Sequence, residues 1–139
     1  MGPMLALLLA TGFQISTRPE EVTILHSPQQ LQRTCGAAVP ACTRVLGISL
    51  RLKCEHSDEW QVRGEASIAP YMYTAQEWLL VHEREHVTDI VRRIESYGDH
   101  LLTLRFRTSN DCWSIARAEE AVFPARVQYF GKLSQELLQ

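Results

Sequence analysis

The sequence has no excess of charge of either sign: 14 Lys and Arg against 16 Asp and Glu leave a formal net charge of −2. It also has no basic tract and no stripe of interleaved aromatic and basic residues. The electrostatic footprint of a nucleic-acid binder is therefore missing, and no nucleic-acid partner is expected. Internal repeats and low-complexity segments are absent as well. So is any C-x₂-C pair, which removes the usual cysteine framework for zinc.

Nor is there an apolar run long enough to cross a bilayer. Residues 4–13, MLALLLATGF, make ten in a row, the length of a signal-peptide core rather than of a membrane span. No Lys or Arg precedes that run, and the best small-x-small site is Ala10-Thr11-Gly12. The expectation is a signal peptide over 1–12 and one domain over 13–139, secreted or periplasmic, with no stable membrane insertion after cleavage. The alternative is a buried N-terminal strand.

What is present is ordinary globular composition, 45% hydrophobic and 22% charged over 139 residues, enough for one domain with a real core. There are four cysteines. Cys35 and Cys42 bracket a short Gly- and Pro-containing stretch, CGAAVPAC, that a disulfide would close into a ring. Of the three connectivities open to four cysteines, Cys35–Cys42 with Cys54–Cys112 is favoured, tying the end of a strand to the start of the last helix. An even cysteine count fits an oxidising compartment.

Periodicity gives the elements. Glu21 to His26 reads as a short strand. Ser27 with Gln30 forms a capping box with Pro28 at the first helical position, so Pro28 to Arg33 should be one or two helical turns. Val45 to Cys54 alternates, with Leu46, Ile48, Leu50, Leu52 and Cys54 on one face. Trp60 to Ala69 alternates too, with Trp60, Val62, Ala66 and Ile68 inward. The polar link Glu55 to Glu59 suits a hairpin loop, and Pro70 closes the second strand.

Thr74 to Gly98 is the stretch that carries chemistry. Thr74 with Glu77 reads as a capping box, and Gly98 suits a left-handed C-cap. At about 100° per residue Leu79, Leu80, Val87, Ile90, Val91 and Ile94 gather on one stripe, with Arg84, Glu85, Thr88, Arg92 and Glu95 opposite. His82 and His86, four apart, share one border of that stripe, where both imidazoles can reach one ion. Glu83 falls inside the stripe, where an unpaired carboxylate would be costly. The string His82-Glu83-Arg84-Glu85-His86 fits the His-Glu-x-x-His pattern: two imidazoles hold Zn²⁺, and the Glu takes a proton from a water that the ion has acidified. A charged amphipathic helix with His at its border is the plainer alternative.

Beyond Gly98, His100 to Arg107 is expected to be extended or irregular. Ser109-Asn110-Asp111 then starts a last helix, from about Cys112 to Leu137, interrupted at Pro124. The whole is an α+β fold: a small antiparallel hairpin packed on the His-bearing helix and a C-terminal helix.

A catalytic zinc site has three protein ligands and one open position. The third is not evident. Arg92 stands where metzincins place it, six residues after the second His. Asp89 is on the right face but suits hydrogen bonding near the site or pairing with Arg93. Glu119, Glu120, Tyr129 and His100 are the remaining candidates. Two antiparallel helices would put Glu119 and Glu120 beside Arg92 and Arg93, leaving Gln128 and Tyr129 as the polar residues facing the His pair. His26 and His56 could reach it only through loops.

Trp78 to Ile94, WLLVHEREHVTDIVRRI, followed by Cys112 opening a C-terminal helix, resembles an uncharacterised bacterial family, the predicted secreted zinc-dependent proteases. The resemblance covers about half of the chain. It implies His82 and His86 as metal ligands, Glu83 as the catalytic residue, and a peptide or protein as substrate. Where that family carries Tyr-Asp-x-x-Thr-x-His, this chain has Tyr129-Phe130-Gly131-Lys132-Leu133-Ser134-Gln135, without the Asp, Thr and His. Two functions are therefore carried forward: a zinc metalloprotease with Glu83 as general base, and a degenerate zincin or disulfide-stapled binding module without catalysis.

Overall fold

The hairpin expected from the two alternating segments forms the body of a sheet. A computed structural model describes residues 21–55 and 59–137; the expected signal peptide, His56 and the tip of the hairpin loop lie outside them. Strand β1 (Thr23–Ile24) is followed by helix α1 (Pro28–Cys35), strands β2 (Ala41–Cys54) and β3 (Trp60–Met72), and helices α2 (Glu77–Thr103) and α3 (Ser109–Leu137). The sheet order is β1-β3-β2, with β2 antiparallel and β1 parallel to β3. The fold class is α+β, as the alternation of strand and helix periods implies.

β3 keeps one alternation throughout. Trp60, Val62, Ala66, Ile68, Pro70 and Met72 are all buried, while Gln61, Arg63 and Glu65 face solvent. β2 does not. Leu46 lies opposite Ser67 but Ser49 lies opposite Glu65, so Gly47 and Ile48 together face one residue of β3. This is a bulge, and Gly47 takes the left-handed φ of 58° that such a bulge assigns to glycine. The extra residue reverses the facing. Ala41 and Val45 are buried before it, Leu50 and Leu52 after it, and Leu46, expected inward, is only half-buried.

Three strand and cap expectations need correction. β1 is two residues rather than six, held by Thr23 opposite Tyr71, Ile24 opposite Met72 and Leu25 N–H donating to Met72 O at 2.8 Å. Pro70 does not end β3. Since β1 pairs only from Tyr71 onward, Pro70 sits where the sheet has no strand on one side, the setting in which a missing N–H is tolerated. α1 runs to Cys35, past Arg33, and ends at Gly36 with φ 75°. Its start is as expected, with Ser27 Oγ accepting from Gln30 N at 3.1 Å and Gln30 Oε1 accepting from His26 N at 2.9 Å.

Both ends of α2 also differ. It begins at Glu77 after Gln76, whose side chain accepts from Trp78 Nε1 at 2.6 Å rather than capping, and Thr74 lies outside. It continues through Gly98 to Thr103, so His100 to Thr103 are helical. Trp60 is the reason. Its indole Nε1 donates to Leu101 O at 2.8 Å, and Leu101 is buried, so the sheet holds the final turn in place.

α3 starts at Ser109, with Thr108 Oγ1 accepting from Asp111 N at 3.0 Å, and passes through Pro124 unbroken. An interior proline costs about 3 kcal/mol. Burying Phe123 and Val127 beside it, each worth about 1.5–3 kcal/mol, offsets that cost. Both expected disulfides are formed, Cys35–Cys42 and Cys54–Cys112. Ile90 and Ile94 of α2, Phe123 and Val127 of α3, and Leu50, Val62 and Ile68 of the sheet make one core.

Candidate metal centre

The helical period of α2 brings His82 and His86 to one border of its buried face. Glu83 lies inside that face, 4% exposed, and His86 is 5% exposed. The two Nε2 atoms stand 3.1 Å apart with the rings nearly perpendicular, at 83°. Donor atoms of His82, Glu83 and His86 all lie within 4.8 Å of one another. Among the described residues this is the one group of three His, Cys, Asp or Glu side chains so placed, and it could hold a metal ion.

Two other elements shape the group. Thr43 of β2 donates its hydroxyl to Glu83 Oε2 at 2.6 Å, which answers the polar demand of a carboxyl in an apolar stripe. Thr43 shares the inward facing of Ala41 and Val45, so it reaches α2 because of the Gly47 bulge. Ser134 of α3, fully buried, places Oγ 2.9 Å from His86 Nδ1. Asp89 lies one turn along α2, accepting at Oδ2 from Arg93 Nε at 2.9 Å.

Burial pushes the His86 imidazole below its ordinary pKa; the neighbouring Glu83, Asp89 and Glu85 pull it up and His82 pushes it down further, and the balance is downward. The neutral ring is the form that ligates metal. Burial pushes the Asp89 carboxyl up, but hydrogen bonds from Arg93 and Ser134 outweigh it and hold Asp89 below the usual carboxylate range.

Among the described residues none of the expected third ligands joins the group; His56 lies outside them. Glu119 accepts from the hydroxyl of Tyr97, one turn past Arg93 on α2, and lies 3.8 Å from Arg126. Burial, then the Glu119 contact, pushes the Tyr97 phenol well up. Glu120 Oε2 accepts from Leu52 N of β2 at 3.3 Å. Tyr129 is 57% exposed, and His100 and His26 are exposed as well. Gln128, expected to face the His pair, donates Nε2 to Val45 O at 3.2 Å.

Ser134 and Thr43 are the site residues that sequence reading missed. A signal for the first existed: Phe123, Val127, Phe130 and Ser134 follow one another at helical spacing on the inner face of α3. Thr43 lay before the segment read as a strand, and Gly47 hid the change of facing. Compared with family models, with curated proteins and with solved structures, the chain matches none.

Proposed function

We propose that the protein is a small exported zinc hydrolase of metallopeptidase type, in which His82 and His86 hold Zn²⁺ and Glu83 is the general base. The observation that carries this reading is the 3.1 Å separation of the two Nε2 atoms. Two nitrogens on a tetrahedral zinc, each about 2.0–2.1 Å from it, stand roughly 3.3 Å apart. The residues therefore fit the ion with little movement. When bound, Zn²⁺ supplies a Lewis acid that polarises a carbonyl and lowers the pKa of water to about 7.

The chain's own residues do the rest. Glu83, its Oε2 held by Thr43, accepts the proton of the attacking water and returns it to the leaving amine. Burial keeps His86 neutral and able to ligate. Peptide as substrate rests on the resemblance to the secreted proteases. Two disulfides are consistent with a secreted or periplasmic site of action.

A second reading is supported by the donor count. Among the described residues two imidazoles and one carboxyl make up the group, where a catalytic zinc usually has three protein ligands besides its Glu base. In that reading the site is a non-catalytic metal staple in a binding module. Elemental analysis of purified protein decides the first step: about one zinc per chain is expected, lost in His82→Ala and in His86→Ala. Glu83→Gln then separates the readings. Zinc retained with peptidase activity abolished assigns Glu83 to catalysis; zinc bound by a wild type that cleaves no peptide library leaves the staple.

A further inference from the structure

We infer that the protein pairs with a second copy of itself through the outer face of α3, the two helices lying antiparallel about a two-fold axis at Val122. This goes beyond the metal centre and does not depend on it.

α3 carries two apolar stripes. The first, with Cys112, Ala116, Phe123 and Val127, is buried in the core. The second is Ile115, Ala118, Val122, Ala125 and Tyr129. At about 100° per residue these five fall within about 80° of one another, about 130° round the helix from the first stripe. They stay exposed: Ile115 and Val122 are 41% accessible and Tyr129 57%, and both alanines are exposed as well. Large apolar side chains scattered singly on a surface need no explanation. Ile115, Val122 and Tyr129 instead recur at a heptad spacing with alanines between them, the pattern by which one helix seats another.

The face is complementary to itself in reverse. Ile115 and Tyr129 are equally far from Val122 on either side, and Ala118 and Ala125 are so to within one residue. Two antiparallel copies with Val122 on the axis therefore set Ile115 against Tyr129, Ala118 against Ala125 and Val122 against itself, an isologous contact. Charge follows the same register. Asp111 stands in line with the stripe near its start and Lys132 on its border near its end, so each meets the other across the axis. On the opposite border the half-exposed Arg126, already 3.8 Å from Glu119 of its own chain, comes beside Glu119 of the second copy. A parallel pair would set Asp111 on Asp111 and Lys132 on Lys132, which like-charge repulsion opposes. A net charge of −2 per chain leaves little general repulsion to overcome. Ser134, which reaches His86, belongs to the buried face, so pairing leaves the metal centre uncovered.

Sedimentation equilibrium of the full chain over a concentration series tests the pairing, and a reversible doubling of mass is expected. Val122→Glu changes an exposed position, so the urea midpoint should hold, while two carboxylates meeting on the axis should weaken association about tenfold or more. Tyr129→Glu is a second break at the most exposed position of the stripe and should act in the same direction. Asp111→Lys and Lys132→Asp should each weaken association about threefold by bringing like charges together, and the double reversal should restore it. A chain that is monomeric at every concentration overturns the proposal, whether the face is bare or covered by residues 1–20 of the same chain. A dimer left intact by Val122→Glu and Tyr129→Glu is held by another surface and overturns it too. Single reversals without effect, or without rescue in the double variant, reject the antiparallel register.

Discussion

Glu83 occupies a position where packing alone would place Leu, and Thr43 is what makes it tolerable. Thr43→Val keeps the shape of the side chain and removes the donor, leaving a buried carboxyl oxygen unsatisfied at a cost of about 1–3 kcal/mol. Adding Glu83→Leu removes both partners, and the double variant should recover most of that loss. Urea denaturation of the two single variants and the double closes the cycle. Additive effects would mean that the hydroxyl and the carboxyl do not interact in solution.

His86 carries the pH dependence of the metal-free protein. Its folded pKa lies below the ordinary imidazole value of 6.5, so the unfolded chain takes up its proton first as pH falls. The contribution is complete above 6.5 and is lost as pH falls through the lower folded value. Asp89, also lowered in the folded state, acts in a separate and more acid window, below 3.8. Urea midpoints of the metal-free protein should therefore decline on acidification below neutrality, and His86→Gln should flatten that first decline. An unchanged profile in His86→Gln would assign it to another group. At this scale the sequence was informative within one helix: a spacing of four becomes a shared face, which placed His82, Glu83 and His86 together. Thr43 and Ser134 come from other elements, where no local period links them to α2.

At the scale of elements, the sheet reaches the site through one residue. Gly47 sets the facing of the first half of β2, and with it the side on which Thr43 falls. Its φ of 58° is strained for any L side chain, whereas a Cβ there would meet Ser67 Oγ only at 3.7 Å, an ordinary contact. Gly47→Ala should therefore cost about 1–2 kcal/mol from backbone conformation alone. Replacement by D-alanine in a synthetic chain should restore the loss, and denaturation midpoints measure both. If L-alanine is neutral, the bulge is absent in solution and Thr43 has no fixed place. The same scale shows why element ends were less legible than element types. The capping residues Thr74 and Gly98 and the breaker Pro124 are local signals. They were overruled by Trp60 holding Leu101, and by the burial of Phe123 and Val127, both contacts distant in sequence.

For the molecule as a whole, the two disulfides were legible from cysteine order, and they should not be equal in effect. In the chain-entropy account a cross-link stabilises by limiting the unfolded chain, and the benefit grows with the loop closed. Cys35–Cys42 spans 7 residues and Cys54–Cys112 spans 58. The corresponding losses are about 2 kcal/mol for the short ring and about 4 kcal/mol for the long one. The long bridge also joins the far end of β2 to the first turn of α3, the helix that carries Ser134 to His86. Cys54→Ala/Cys112→Ala should accordingly unfold at clearly lower urea than Cys35→Ala/Cys42→Ala. Zinc at about 100 times its Kd should return about 2.7 kcal/mol to any variant that still assembles the His pair. A zinc-induced gain in the long-bridge variant equal to that of wild type would show that the site reassembles without the link. Equal losses for the two bridges would mean instead that the unfolded chain already holds β2 near α3, so that closing the longer loop restricts it no further.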